Sequence, residues 1–330
     1  MGMTKAKASK VSPLQCLLIS TLFVLGTTAA TCATPSVIEL PGDRAFPESI
    51  TSGPDGTLYI SSLASGGVFR VEPGQAQAEI WIKPGAYDSR STFGVFADTG
   101  SNTLWVCSND ASALGVPGPS SITGSFLKGF DLATGTGKIS AALPGPRTLC
   151  NDMALGPDGS VYVTNTFAPE IDRLKPGATQ LEIWLTDPRF EPPTNGGGLD
   201  GIAFGGDGNL YVNTFTPGEF FRIEVKDGSP GRVAKLSTSR QLSHPDGLRA
   251  LRGNRFLMIE GGGSLDEVTV TGDSATIETL KDGLVQPTGV TLTADTAWVS
   301  EGQLSSLGYP QKGEAPRLPF KLYAVPRPQP

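Results

Sequence analysis

The sequence predicts an all-β chain folded as a six-bladed β-propeller, and three observations carry the prediction. One short pattern recurs six times, its copies start 42 to 58 residues apart, and the composition suits many short strands joined by tight turns. In 330 residues there are 42 Gly and 27 Pro, while charged residues reach only 18%. Four short strands with their turns occupy about 40 to 50 residues, so each copy has the length of one blade.

The first copy, PESITSGPDGTLYISS, starts at Pro47 and places a Gly-Pro-Asp-Gly turn between two alternating apolar segments. That is the local signature of a β-hairpin. TFGVFADTGSNTLWVCS, CNDMALGPDGSVYVTN, LDGIAFGGDGNLYVNT, PDGLRALRGNRFLMIE and PTGVTLTADTAWVSE follow in order, each supplying the two inner strands of a blade. Outer strands are fainter and read GGVFRVEPG, FLKGFDLATG, EIDRLKPG and EFFRIEVKDG after the first four hairpins. The second unit is lengthened by SNDASALGVPGPSSITGS and the third by TDPRFEPPTNGGG. Long Pro/Gly loops on one rim either cover a binding site or are tolerated insertions.

Residues 1–33 separate from the repeats. Lys5, Lys7 and Lys10 precede an apolar run from Leu14 to Gly26 and a small-residue exit, TTAATCA, the pattern of a secretory signal. The run is shorter than the roughly 20 residues needed to span a bilayer, so no stable membrane insertion is expected. Residues 34–330 are read as one propeller domain, secreted or periplasmic. Removing the three lysines takes the net charge from −6 to −9, which makes nucleic acid an unsuitable partner. Cys107 and Cys150 remain in this part, and an oxidising compartment favours their pairing, although two buried thiols would read the same way.

The equivalent position at the start of each inner strand is Glu48, Phe93, Asn151, Asp200, Asp246 and Thr288. In a propeller such positions face the central axis, so three carboxylates and a carboxamide converge there. They repel one another unless protonated or bridged by a cation, and oxygen ligands suit a hard metal. Short polar side chains can also serve turns. However, Asp55, Asp158 and Asp207 already occupy the hairpin turns, so the axial residues form a second set.

At these residues the chain resembles the gluconolactonase, regucalcin and senescence marker protein family of six-bladed propellers. Glu48 in FPESI, Asn151 in LCNDM and Asp200 in LDGIA match the family's spaced Glu, Asn and Asp elements. The resemblance implies that these three hold one divalent cation, calcium by preference with magnesium and zinc as alternatives, which activates a lactone or related ester for hydrolysis. Where relatives place an Asn in the second blade this chain has Phe93, which points to a more apolar substrate pocket. Arg90, just before it, stands near a basic substrate-binding residue of the family at a shifted offset. Asp200 and Asp246 are the candidate catalytic carboxylates, the latter as general base.

Competing motifs fail on context. His244 is the sole histidine and reads as a loop residue before Pro245, so a histidine pair is excluded. NGGGLDG leads into a strand and not a helix, so it cannot cradle phosphate at a helix N-terminus. Asn165 and Asn213, in VTNTF and VNTF, read as strand terminators. Two other readings stay open: a non-catalytic propeller binding a small molecule or protein at its rim, and a strictosidine-synthase-like condensing enzyme, which would not need the Glu/Asn/Asp set.

Overall fold

In a computed structural model of the chain, residues 1–2, 35–294 and 296–327 are described. The secretory signal expected at residues 1–33 lies almost entirely outside them. Six antiparallel sheets follow one another along the chain, each built mainly from consecutive strands, which is the predicted propeller. The first blade comprises Ile50–Ser52, Leu58–Ser61, Val68–Val71 and Glu79–Ile82. The second comprises Ser91–Asp98, Thr103–Asn109, Ser125–Asp131 and Gly137–Ala142. The third runs from Cys150–Leu155 to Glu182–Thr186, the fourth from Leu199–Phe204 to Ser229–Lys235, and the fifth from Pro245–Ala250 to Ser274–Lys281. Among the described residues no helix is long and apolar enough to cross a membrane.

The sixth blade is completed from the other end of the chain. Pro287–Thr293, Thr296–Glu301 and Phe320–Pro326 are joined by Val37–Leu40, whose residues pair antiparallel with the last strand from Val37 opposite Tyr323 to Leu40 opposite Phe320. The repeat pattern does not reveal this closing strand, because VIEL follows no hairpin. The added strand covers the outer edge of Phe320–Pro326 and leaves a short four-residue strand at the rim.

The hairpin turns use one device three times. Asp55 accepts from the Thr57 backbone and hydroxyl, Asp158 likewise from Ser160, and Asp207 from the Asn209 backbone and amide. The glycine after each aspartate has φ between 77° and 87°, the left-handed conformation that a side chain resists. Turn chemistry is therefore complete without the axial residues.

Between blades the sheets pack apolar faces. The largest cluster includes Phe46, Leu127, Val163 and Phe320 and contains the Cys107–Cys150 disulfide, whose Cα atoms are 5.2 Å apart. It ties the second strand of blade two to the innermost strand of blade three, giving the sequence's open pairing its answer. Asp172 is the exception to apolar packing: it is fully buried, and neither carboxylate oxygen has a hydrogen-bond partner. Burial, followed by the Glu170 charge, pushes its pKa up to about 8. A free aspartate ionises near 3.9, so between about pH 4 and 8 the folded state holds a proton that the unfolded state has lost. Stability contributed by this group therefore falls as pH rises through that window and is flat above it. Asp172→Leu is expected to raise the melting temperature by several degrees at pH 8 and less at pH 5; equal shifts at both would contradict this.

Candidate functional site

Five of the six axial residues sit in an irregularity of their innermost strand, while Glu48 lies just before its strand, Ile50–Ser52. In blade three the pairing jumps from Cys150 opposite Asn165 to Met153 opposite Val163, so Asn151 and Asp152 together face only Thr164. The same two-against-one step carries Phe93 and Gly94, Asp200 and Gly201, and Asp246 and Gly247. A β-bulge bends the strand and re-aims a side chain, here at the same level in successive blades.

Polar side chains on the second strand pick up the backbone groups that the bulges release. Thr164 Oγ1 accepts from Asp152 N, Asn213 from Gly201 N, Ser300 from Gly289 N and Ser61 from Ser49 N. Thr164 also donates to Asp200 O, and Asn213 to Asp246 O, so each staple reaches the next blade's axial residue. Asn213 is thus an inter-blade clamp and not a strand terminator. Asn165 organises the turn before its blade by accepting from Leu149 N and donating to Arg147 O.

The glycine following an axial residue has its own reason. A Cβ on Gly94 would lie 2.3 Å from Asn151 O, and one on Gly201 2.3 Å from Asp246 O. Adjacent innermost strands approach too closely for any side chain there, so the Asp-Gly pairs are packing devices of the ring.

Glu48, Asn151, Asp200 and Asp246 are all buried. Asn151 Nδ2 donates to Asp200 Oδ2 at 3.0 Å and to Thr166 Oγ1 at 2.8 Å. That orientation leaves the amide oxygen as the group it can offer a ligand. The carboxyls of Asp200 and Asp246 lie close enough for each to perturb the other. Burial, then the Asp152 charge, pushes Asp200 up to about 7. Glu48 and Asp246 are raised well above the usual carboxylate range, first by burial and next by the charge on Asp200.

Two oxygens of this group, Glu48 Oε2 and Asp200 Oδ1, are buried without a hydrogen-bond partner. Unpartnered buried oxygens among mutually repelling acids fit a cation, which would supply the missing contact to both. Among the described residues no three His, Cys, Asp or Glu side chains are grouped as a metal cage. The fitting donor set is accordingly two acids and an amide, Glu48, Asp200 and Asn151, with Asp246 beside it.

One residue near the acids belongs to none of the motifs. Arg249 extends from blade five to Asp152 in blade three, with Nη1 2.6 Å from Oδ2 and Nη2 3.2 Å from Oδ1. Nη2 also meets Ser49 Oγ of blade one at 3.1 Å. The guanidinium therefore spans the axis and lowers the Glu48 pKa against the surrounding acids. Its signal was present in the repeat: three residues after the axial position the copies read Thr51, Phe96, Ala154, Ala203, Arg249 and Thr291, with one charge among six.

The substrate-binding expectations fare differently. All of the Arg90 guanidinium is engaged by the 110–124 loop, through Pro117 O, Ile122 O, Ser112 Oγ and Asp110. The shifted offset was the warning, and the arginine anchors the insertion instead of facing the axis. Phe93 is buried in the apolar cluster with Phe46, Ala111, Val116 and Leu149. His244 adopts a left-handed φ of 54°, and its ring lies 5.0 Å from that of Phe215.

Residues 33–71 match the family model described as strictosidine synthase-like, N-terminal. No curated protein matches the chain. Among solved structures, the major Malassezia sympodialis allergen Mala s 1 is similar with a TM-score of 0.68 at 16% identity, covering 88% of this chain and 96% of that one. A gluconolactonase from Xanthomonas campestris follows with 0.62 at 17%, over 92% and 94%. Virginiamycin B lyase from Staphylococcus aureus gives 0.57 at 16%, over 80% of each chain. Identities this low establish the shared propeller, a fold that carries hydrolytic, lyase and other roles in these neighbours.

Proposed function

We propose that the chain is a divalent-cation-dependent hydrolase of lactones or related esters. The observation that carries this reading is the pair of unpartnered oxygens, Glu48 Oε2 and Asp200 Oδ1, buried beside an oriented amide. Glu48, Asn151 and Asp200 would hold the cation, with calcium favoured by the all-oxygen set. When bound, such an ion polarises a carbonyl and acidifies water.

The rest of the chemistry falls to side chains of this chain. Asn151 is fixed by Thr166, whose hydroxyl in turn donates to Leu199 O, so the amide cannot rotate away from Asp200. Asp246, beside Asp200, would accept the proton lost by an attacking water and return it to the leaving alkoxide. Arg249 pairs with Asp152 and balances one of the negative charges beside the acids. The Cys107–Cys150 disulfide supports an exported, oxidising setting.

Metal analysis of protein purified without chelator, followed by a lactone and aryl-ester panel with and without EDTA, tests the reading. One divalent cation per chain is expected, with turnover abolished by EDTA and restored by calcium. Hydrolysis that continues unchanged in metal-free protein would overturn it, and metal-free protein of ordinary stability with no turnover would favour a binding platform.

A further inference from the structure

A cavity of about 230 Å³ opens beside the axial acids, lined by Phe215, His244, Asp246, Gly261, Gln286, Pro287, Thr288 and Leu304. Two of these, Asp246 and Thr288, are axial residues, so the cavity is continuous with the candidate site. A larger groove of about 1030 Å³ lies between the two long insertions, but no axial residue lines it. The smaller cavity is therefore the one that can hold part of a molecule reacting at the acids.

Its chemistry is uneven. At one end stands Asp246, the only acid in the lining; the remaining wall is largely Phe215, Pro287, Leu304 and glycine. The polar groups among them are mostly engaged already. Thr288 Oγ1 donates to Pro47 O and contacts Ser300, and Gln286 Oε1 accepts from Ser305 N. The His244 ring lies against Phe215. A polyhydroxylated arm placed here would leave hydroxyls without partners, whereas a hydrocarbon arm would lose only its contact with water.

We infer that this cavity receives a hydrocarbon arm of the substrate, so that the preferred lactones or esters carry an apolar substituent and not a sugar's hydroxyls. This rests on the hydrolase reading, with the scissile carbonyl at the acids and the arm directed toward Leu304. Each methylene buried in the cavity should then raise kcat/KM about threefold to fourfold.

Gly261 offers a way to fill the space. A Cβ there would meet His244 O at 3.4 Å, His244 Cβ at 3.6 Å and Phe215 Cε2 at 3.7 Å, ordinary contacts that point a longer side chain at the lining residues. Two measurements separate the pocket from the chemistry. Calorimetric binding of 2-hexylcyclopentanone, which has no ester bond, is compared with that of unsubstituted cyclopentanone; kcat/KM is measured across γ-lactones of increasing alkyl length. The parent protein should bind the alkylated ketone at least about thirtyfold tighter, and Gly261→Leu should collapse that ratio toward unity. Leu304→Asn, at a half-buried position, should reduce the ratio in a second background should the first variant fold poorly. Equal binding of the two ketones by the parent, or an undiminished ratio in both folded variants, would overturn the assignment. Absence of turnover on every lactone together with selective ketone binding would defeat the hydrolase reading and leave the pocket standing.

Discussion

Asp200→Asn is expected to lower kcat/KM for hydrolysed esters about a thousandfold while making the cation-free protein more stable. The two effects share one cause. Asp200 is buried beside Asp246, Asp152 and Glu48, and burial with the Asp152 charge drives its pKa up to about 7. An amide keeps the size and the contact to Asn151 but removes a charge that the fold disfavours, so the gain should be on the order of 1–2 kcal/mol near neutral pH. With calcium present the order should reverse. The parent gains stability from a ligand that binds only the folded state, and the variant, lacking one donor, gains little. Differential scanning calorimetry in EDTA and in millimolar calcium checks this alongside kinetics. A variant that is less stable in EDTA and still stabilised by calcium would remove Asp200 from the cation site.

Arg249→Met should be the most destabilising single change at the axis, by about 3–5 kcal/mol. The arginine is the sole cation contacting Asp152 among the described ion pairs, and Asp152 is buried. Its removal strands a carboxylate among Glu48, Asp200 and Asp246, whose own pKa values are already raised by burial and then by neighbouring acids. The loss should be largely recovered by adding Asp152→Leu, because replacing both members of a buried pair leaves no uncompensated charge. Urea denaturation of the two single variants and the double closes the cycle. Additive losses would show that Arg249 and Asp152 do not act as a pair.

Residues whose role repeats with the blade were readable in the chain. The six hairpins, the Asp55, Asp158 and Asp207 turns and the axial series from Glu48 to Thr288 all follow the period, and the structure gathers Glu48, Asn151, Asp200 and Asp246 as the period requires. Features that break the period were not readable. Arg249 appears in one copy of six, and its importance depends on a partner two blades away. Arg90 stood near a plausible position, yet its guanidinium is held by an insertion that has no counterpart in the other blades. Asp172 lies on a third strand at a shift in its pairing with the fourth, Ile171 facing Leu185 and Asp172 facing Ile183, and the sequence EIDRL does not mark a carboxylate that packing will leave unpartnered. The bulges explain why Asn-Asp and Asp-Gly resemble turns: both need irregular backbone, but a bulge serves the neighbouring blade and a turn serves its own.

The strand Val37–Leu40 has a consequence for how the protein reaches its structure. It is made before any blade and finds its place only against Phe320–Pro326, at the far end of the chain. Its pairing therefore has nearly the greatest sequence separation possible, and such contacts form late because the whole intervening chain must first be organised. Blades one to five can each fold as soon as their own strands exist, while the sixth waits for both termini. Until then the outer edge of Phe320–Pro326 stays unpaired. A short synthetic VIEL-containing peptide added during refolding would compete for that berth and slow the final step.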